Sequence, residues 1–211
     1  MSVELLNIDC MEYMATQPDN SFDLAIVDPP YGNKWDAVNL VDGPTNKAIR
    51  TNLKVTWDKA PDHKYFEELK RVSKNQIIWG VNFYKNVDLA GGRICWDKKG
   101  TAFGRAELAY YSGSMSVNVC EIIWNGMIQH DMKNKETRIH PTQKPVALYN
   151  WLFQNYAEKG QRILDTHLGS ASSAIAAHYF GCDFVGCEID KEYYDAARAR
   201  FKRETRQLAM F

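Results

Sequence analysis

The chain has 211 residues, a formal net charge of zero at pH 7 and 45% hydrophobic residues. This length suffices for one α/β domain with a substantial core. No apolar run approaches the roughly 18 residues of a membrane span, and the segment 1–4 starts no signal peptide, so a cytoplasmic protein is expected. The five cysteines show no Cys-x-x-Cys spacing, which favours reduced thiols over a disulfide framework or a zinc site.

The first part of the chain predicts a strand, a short helix and a second strand. Residues 3–8 are largely apolar and end at Asp9, and residues 10–16 follow as the helix. The apolar run 22–27 predicts a buried strand. The motif Asp28-Pro29-Pro30-Tyr31 comes directly after it, and its two prolines end the strand and hold the backbone extended.

This motif places an acid, a rigid turn rich in carbonyl groups and an aromatic ring at the end of one strand. The carboxylate of Asp28 and the carbonyl of Pro29 can accept the two protons of an exocyclic amino group, while Tyr31 stacks on the ring that carries it. The structural alternative is a Pro-Pro turn between strand and loop, in which Tyr31 is a packing residue.

The middle of the chain predicts one loop, one helix and several strands. The polar stretch 32–60 lacks clear periodicity, and a loop of that length is usually functional. A helix over 62–73 begins behind Pro61 and has one apolar face. That face consists of Tyr65, Phe66, Leu69 and Val72. Further strands are predicted at 76–79, 93–96, 107–111 and 121–124. Asn82, in the turn after the first of these strands, is a weaker candidate for a pocket residue.

The last third of the chain predicts a helix over 146–156 and then a strand–turn–helix unit. The strand 162–165 leads into the Gly/Ser turn 166–173 and the small-residue helix 174–177. The next strand, 184–188, ends in an acid. A tight turn lets a cofactor approach the backbone, and an acid at the end of the next strand can bind ribose hydroxyls. The alternative for that acid is an ordinary surface position.

Basic residues are concentrated locally although the net charge is zero. The segments 32–60 and 132–144 each carry an excess of lysine and arginine, which is typical either of solvated surface or of phosphate contacts. A dense basic run near the C-terminus predicts the exposed face of a helix. It consists of Arg198, Arg200, Lys202, Arg203 and Arg206.

Three motifs in order, the Asp-Pro-Pro-Tyr segment, His140-Pro141-Thr142-Gln143-Lys144-Pro145 and the unit that begins at 162, resemble the amino-group DNA methyltransferases. These are the adenine-N6 and cytosine-N4 enzymes that use S-adenosylmethionine. The motif order resembles the permuted beta group and its small phage-type members, over about Leu5 to Phe201. The resemblance implies an α/β, Rossmann-like class I methyltransferase fold with circularly permuted motifs. Its sheet is expected to have seven mostly parallel strands with one antiparallel edge strand, and helices on both faces.

The resemblance also implies roles for individual residues. The catalytic residues it implies are Asp28, Pro29, Pro30 and Tyr31. The cofactor-binding residues it implies are Asp9, Cys10, Asp28, Thr142, Lys144, Asp165, His167, Gly169, Ser170 and Glu188. Asp9 precedes a helix and is equally an ordinary N-cap, and His140 is expected to be structural. No metal is implied.

The implied reaction is direct methyl transfer to the N6 amino group of a flipped-out adenine in double-stranded DNA, with S-adenosylhomocysteine as product. Asp rather than Ser before Pro-Pro favours adenine in the family, while cytosine-N4 methylation and a DNA-binding module without catalysis remain the alternatives. The beta group also suggests a homodimer that would extend the contact with DNA. The cellular setting it suggests is a bacterial or phage-infected cytoplasm, with or without a restriction partner.

The chain departs from the usual family pattern twice. Asp165-Thr166-His167 stands where Asp-Pro-Phe is common, and Gly169-Ser170-Ala171 stands where Gly-Ser-Gly is common. The first change removes an aromatic packing surface, although an imidazole can partly replace it. The second adds a methyl group that resists positive φ.

A single domain is expected, with a catalytic-side loop near 32–60 and a small target-recognition insertion near 113–139. So short an insertion holds few residues that can contact bases, and a short or relaxed recognition sequence is predicted. The candidates for base contact are Asn118, Gln129, Asn134 and Arg138.

Overall fold

The computed structural model describes residues 1–32, 59–99, 105–125 and 128–206. The strands within these ranges are β1 (Val3–Leu6), β2 (Phe22–Val27), β3 (Ser73–Trp79), β4 (Gly92–Asp97), β5 (Ala106–Tyr111), β6 (Val117–Glu121), β7 (Arg162–Asp165) and β8 (Asp183–Cys187). The helices are α1 (Cys10–Ala15), α2 (His63–Val72), α3 (Val146–Tyr156), α4 (Ser172–Phe180) and α5 (Lys191–Glu204). None of these helices is long and apolar enough to cross a membrane.

The strands form one eight-stranded sheet in the order β1-β8-β7-β2-β3-β5-β4-β6. Only β5 runs against its neighbours: it pairs antiparallel with both β3 and β4, whereas every other pair is parallel. The prediction of a mostly parallel sheet is confirmed. The predicted strand count of seven is wrong for the described residues, and the antiparallel strand is an interior strand and not an edge strand.

The additional strand is β6, which forms the sheet edge beyond β4. The strand predicted at 121–124 is wrong, because the ladder with β4 begins at Val117 and ends at Glu121. The apolar residues that follow cover the core instead: Ile122 and Trp124 are buried, and the carbonyl of Ile122 accepts a 2.9 Å hydrogen bond from the indole of Trp96. The Ile122 amide still donates to the Asp97 carbonyl at 3.1 Å and Trp124 forms an isolated antiparallel bridge with Gln129, so their hydrophobicity reflects burial beyond the end of the continuous strand.

Helices cover both faces of the sheet, as predicted. Alternate residues of β2 point to opposite sides: Leu24 and Ile26 belong to a core cluster with α3, α4 and α5, while Ala25 and Val27 belong to a second cluster with α1 and α2. The predicted apolar face of α2 is confirmed, since Tyr65, Phe66, Leu69 and Val72 are all buried.

The predicted exposed basic face of α5 is wrong at one position. Arg198, Lys202, Arg203 and Arg206 are exposed, but Arg200 retains only 1% exposure. Its guanidinium forms an ion pair with Glu136, with 2.6 Å between Nη2 and Oε2. The sequence groups Arg200 with other cations in one basic run, but its ion-pair partner Glu136 lies far away in sequence.

The direction of β5 determines what meets at one edge of the sheet. The parallel strands β1, β8, β7, β2 and β3 all end at this edge, and the antiparallel β5 begins there. Glu107, near the start of β5, therefore lies beside residues that follow the ends of β2 and β3. The predicted loop near 32–60 falls almost wholly outside the described residues.

Candidate functional site

Asp28 follows β2 at this edge, and its carboxylate is surrounded by donors from this chain. Lys144 Nζ lies 2.5 Å from Asp28 Oδ2, and the Tyr31 hydroxyl donates to Asp28 Oδ1 at 2.7 Å. Burial raises the pKa of Asp28, and the ammonium of Lys144 offsets this only in part. Asp28, the predicted catalytic acid, is thus a largely buried carboxylate that accepts a protein hydrogen bond on each of its two oxygens.

Glu107 and Lys98 complete a cluster of four alternating charges. Lys144 Nζ lies 3.0 Å from Glu107 Oε2, and Lys98 binds the other carboxylate oxygen of Glu107. Although burial acts to raise the pKa of Glu107, the ammonium groups of Lys144 and Lys98 lower it to about 2. Burial acts to lower the pKa of Lys144, but Asp28 and Glu107 raise it. Glu107 is therefore a carboxylate and Lys144 a cation at neutral pH.

The Tyr31 ring lies on an aromatic platform. It stacks on Phe83 with 4.8 Å between the ring centroids and 11° between the planes. The ring also covers Gly80, where a Cβ would stand 2.2 Å from Tyr31 Cε1, so this position admits no side chain. The neighbouring carbonyl of Pro29 accepts a 2.9 Å hydrogen bond from the hydroxyl of Tyr84. The alternative interpretation of Tyr31 as a packing residue therefore describes its ring contacts, but the Tyr31 hydroxyl also donates to the Asp28 carboxylate.

The predicted cofactor acids follow the ends of adjacent parallel strands. Asp9 comes after β1, Glu188 after β8, Asp165 ends β7, and Asp28 comes after β2. Because β1, β8, β7 and β2 are neighbours, all four acids lie along one edge of the sheet. Such a row of carboxylates suits a ligand that carries positive charge and sugar hydroxyls.

Asp165 is the most deeply buried of these acids, with 2% exposure. Its oxygens accept hydrogen bonds from the amide of His167 at 3.0 Å and the hydroxyl of Ser173 at 2.5 Å. Burial raises the pKa of Asp165 to about 7, and the charges of Asp28 and Glu188 act in the same direction. Near neutral pH both the protonated and the ionised form of this carboxyl group are therefore populated.

Glu188 closes the turn after β7 from the neighbouring strand. Its two oxygens accept hydrogen bonds from the amides of Gly169 and Asp190, each at 3.0 Å. Burial raises its pKa, whereas these amides act to lower it. Glu188 is therefore a partly buried acid whose oxygens both accept backbone amides. The alternative interpretation, an ordinary surface acid, does not describe this position.

The unusual Thr166-His167 pair is matched by Tyr65 from α2. The Tyr65 and Thr166 hydroxyls lie 2.6 Å apart, and Thr166 Oγ1 lies 2.9 Å from His167 Nδ1. The Tyr65 and His167 rings meet edge to face with centroids 5.5 Å apart. Burial lowers the pKa of His167 to about 4, so the ring is neutral at pH 7. An aromatic surface thus remains where the usual phenylalanine is missing.

The other predicted site residues occupy mixed positions. Asp9 is the N-cap of α1, since its side chain accepts a 2.7 Å hydrogen bond from the amide of Met11. Cys10 follows it, and burial raises the pKa of its thiol to about 12. Thr142 Oγ1 lies 3.1 Å from His140 Nδ1, while Lys144 forms an ion pair with Asp28.

Two further residues lie apart from these groups. Asn82 is exposed in the turn after β3. The buried Ser170 places its hydroxyl 3.1 Å from that of Ser172.

Ala171 adopts the left-handed conformation that its sequence position suggested, with φ of 61° and ψ of 22°. For a residue with a side chain this conformation costs roughly 1–2 kcal/mol. Ala171 is fully buried, so its methyl group packs in the core while its backbone is strained. The turn is thus formed despite the residue that replaces glycine.

Several residues of the site were missed at the level of sequence. They are Glu107, Lys98, Phe83, Tyr84, Tyr65 and Arg200. Most of these residues approach from elements distant along the chain, whereas Phe83 and Tyr84 have a local signal, as adjacent aromatic residues directly after the predicted turn at Asn82. The pairing of β5 that places Glu107 is not visible in a hydrophobic pattern.

Comparison with known proteins shows similarity to DNA methyltransferases. A family model described as DNA methylase matches residues 107–199. The Type II methyltransferase M.HinfI of Haemophilus influenzae is 22% identical, over 94% of this chain and 68% of that protein. The putative methylase YubD of Escherichia coli is 25% identical, over 95% of this chain and 90% of that protein.

Solved structures share the fold. The M1.HpyAVI–SAM complex gives a TM-score of 0.56 at 17% identity, over 94% of this chain and 100% of that chain. The cytosine-N4-specific PvuII DNA methyltransferase gives 0.62 at 13% identity, over 100% of this chain and 89% of that chain. The fold is accordingly the class I methyltransferase fold. Together with the family match over residues 107–199 and the curated relatives, this fold supports an amino-methyltransferase of the N6/N4 type.

Proposed function

We propose that this protein transfers a methyl group from S-adenosylmethionine to the N6 amino group of a flipped-out adenine in DNA. The observation that carries the proposal is the position of Asp28. It stands between the charge cluster formed with Lys144 and Glu107 and the row of acids that ends with Asp165 on the neighbouring strand. A target amino group and a cationic cofactor would thus meet at one carboxylate.

The residues at the ends of β7 and β8 fit S-adenosylmethionine. When bound, this cofactor supplies an electrophilic methyl group on a positively charged sulfur. Glu188 provides acceptors for ribose hydroxyls, and the buried Asp165 provides negative charge for the amino acid part. Gly169, with φ of 51°, allows the turn between them to pass close to a ligand.

The acceptors needed for an amino group are present and hold protein donors. Asp28 accepts from Lys144 and Tyr31, and the Pro29 carbonyl accepts from Tyr84. An amino group that takes these places would donate both protons, which localises its lone pair for attack on the methyl group. Lys144 can yield Asp28 without losing its charge partner, because Glu107 Oε2 is already 3.0 Å away.

A base inside a duplex cannot reach Asp28, so the target nucleotide must leave the helix. The stacked pair of Tyr31 and Phe83 gives an aromatic surface beside the acid. Base–aromatic stacking contributes roughly 1–3 kcal/mol per base, which helps to offset the cost of unstacking.

Cytosine-N4 methylation is the second candidate, because the structural relative with a TM-score of 0.62 is cytosine-N4-specific. The two amino groups present the same pair of donors to Asp28. The deciding experiment is to incubate the protein with tritiated S-adenosylmethionine and unmethylated DNA, digest the DNA and identify the labelled nucleoside. Label in N6-methyl-2′-deoxyadenosine supports the proposal, label in N4-methyl-2′-deoxycytidine supports the second candidate, and absence of label with bound DNA supports a binding module.

Target recognition is proposed to be short or relaxed. Part of the segment 113–139 is β6 in the sheet, and each candidate for base contact already makes an internal hydrogen bond. Their partners are Tyr156 for Asn118, Glu136 for Gln129, Asp131 for Asn134 and His140 for Arg138. A homodimer would extend the contact surface. Single-molecule mapping of methylated positions tests this, and a stringent site of six or more base pairs methylated by a monomer on DNA would contradict it.

A further inference from the structure

Arg200 of α5 grips the turn that precedes α4. Its Nη1 donates to the Ser170 carbonyl and lies the same 2.9 Å from the Ser172 hydroxyl. These two contacts stand on either side of Ala171, the residue with left-handed backbone. A single guanidinium nitrogen thus spans the strained position.

The turn has few other means to hold this conformation. Ala171 occupies the N-cap position of α4, and its methyl group offers no oxygen for the free amides of the first helical turn. The Ala171 amide donates to the Leu168 carbonyl at 3.0 Å, which fixes only the start of the turn. The Ser170 and Ser172 hydroxyls lie 3.1 Å apart across Ala171, and Arg200 adds the only charged donor among the described residues that contacts both sides.

The other end of the guanidinium is anchored by Glu136. Arg200 Nη2 lies 2.6 Å from Glu136 Oε2, and the Val146 amide at the start of α3 donates to Glu136 Oε1 at 2.9 Å. The side chain of Arg200 is almost fully buried and cannot swing away into solvent. The anchor therefore fixes the nitrogen that grips the turn.

We propose that Arg200 is a positioning residue that holds the turn around Ala171 in the conformation required to bind the cofactor. The inference rests on the proposed function in so far as this turn binds S-adenosylmethionine. Arg200 touches no substrate and acts through the Ser170 carbonyl and the Ser172 hydroxyl. It thereby compensates for the alanine that stands in place of glycine.

The test is a double-mutant cycle between Arg200→Met and Ala171→Gly. Every protein with Arg200→Met also carries Glu136→Gln, so that removal of Arg200 leaves no buried, unpaired carboxylate, whereas the wild-type and Ala171→Gly proteins keep Glu136 and the ion pair that anchors Arg200. Two quantities are measured: S-adenosylhomocysteine affinity by calorimetry, and amide hydrogen exchange of residues 168–173 without ligand. The exchange measurement reports on the turn whether or not the ligand binds.

Arg200→Met is expected to weaken ligand affinity by about tenfold, which is about 1.4 kcal/mol, and to speed exchange in the turn. Ala171→Gly alone is expected to change affinity little, because relief of strain and loss of a buried methyl group oppose each other. In the Arg200→Met protein, glycine should restore most of the affinity and protection, since it adopts positive φ unaided. An equal effect of glycine in both backgrounds, or an unchanged turn in Arg200→Met, would overturn the proposal.

Arg200→Lys provides a second variant if Arg200→Met fails to fold. A lysine keeps the charge beside residue 136, but its single ammonium cannot reproduce the two-sided grip of a planar guanidinium. It is expected to fold with the same faster exchange in the turn, again reversed by Ala171→Gly. Normal exchange in Arg200→Lys would refute the role of the grip. Failure of the parent protein to bind ligand, with the exchange pattern intact, would refute the proposed function alone.

Discussion

The proposed catalytic end of the sheet, around Asp28, and the proposed cofactor turn, around Ala171, differ in how their groups are stabilised. Around Asp28, charges alternate and donors meet acceptors, so the cluster with Lys144 and Glu107 is electrostatically satisfied. Around Ala171 the backbone is strained, and the nearby Asp165 is buried without a cation among the described residues that pairs with it. The catalytic end can exchange partners on binding a target, whereas the turn must be held in place before a ligand arrives.

The largest expected effect is the loss of turnover in Asp28→Ala, which should leave the turn around Ala171 unchanged. Asp28→Ala removes the acceptor for the target amino group, and loss of one such contact costs about 2.7–4 kcal/mol of barrier, or roughly 10²–10³-fold in kcat. Lys144 keeps Glu107 as its partner, so the fold and the cofactor turn should survive. Turnover is measured beside cofactor affinity.

Asp19→Ala is the matched control for this experiment. Asp19 is an exposed acid whose partner Arg71 also pairs with Glu68. Its replacement should leave turnover unchanged. Near wild-type turnover in Asp28→Ala would remove the central claim about the catalytic end.

The second effect concerns the cofactor side alone. A ligand that binds only the folded state raises the melting temperature by mass action. S-adenosylmethionine should therefore raise the Tm of the wild type, and Glu188→Ala should largely remove that rise. The Gly169 and Asp190 amides also lose their acceptor in this variant, so the Tm without ligand should fall modestly.

Glu188→Gln separates these two consequences in part, because its single amide oxygen can accept from one of the two backbone amides that Glu188 holds. It should recover part of the Tm without ligand but bind the cofactor less well than the wild type. Absence of any thermal shift in the wild type at millimolar ligand would favour a binding module over an enzyme.

The two regions also differ in how far the sequence predicted them. The strand Phe22–Val27 and the motif at Asp28 have a local signal, since an apolar run followed by two prolines specifies a strand end. Glu107 has none, because its place depends on the antiparallel insertion of β5 between β3 and β4. Arg200 was misplaced for the same reason: the Glu136 partner that makes its burial tolerable is 64 residues away. Motifs thus predicted which groups stand at the ends of the strands, and long-range pairing determined which residues surround them.

The third effect is a pH dependence of cofactor binding set by Asp165. Because the pKa of Asp165 is about 7, its carboxyl group is largely protonated below neutral pH. A cationic ligand binds the ionised form more tightly and therefore lowers this pKa when it binds. S-adenosylmethionine affinity should therefore rise with pH up to tenfold per unit below about 7 and level off above it, with a proton released on binding. Calorimetry in buffers of different ionisation enthalpy measures both quantities.

Asp165→Asn is the control for this effect and adds a stability test. Since the folded-state pKa of Asp165 lies above its model value of 3.8, the folded protein binds the extra proton, and the contribution to stability is lost as pH rises toward about 7. The neutral amide should therefore raise the Tm most at about pH 8, less at about pH 5, where the unfolded carboxyl is ionised but the folded one is protonated, and little at about pH 3. It should also abolish the pH dependence of binding. An unchanged pH dependence in Asp165→Asn would assign it to another group.

The smallest expected effect tests the aromatic platform at the catalytic end. Phe83→Ala removes one ring of the stacked pair but leaves Tyr31 held by its hydroxyl bond to Asp28 and by its contact with Gly80. An aromatic pair contributes about 0.5–1.5 kcal/mol, so KM for DNA should rise roughly two- to tenfold with kcat nearly unchanged. Phe83→Leu restores apolar area without the stack and should give an intermediate KM. A large fall in kcat for Phe83→Ala would mean that the platform positions Asp28 itself, and the distinction between a tolerant catalytic end and a rigid cofactor turn would fail.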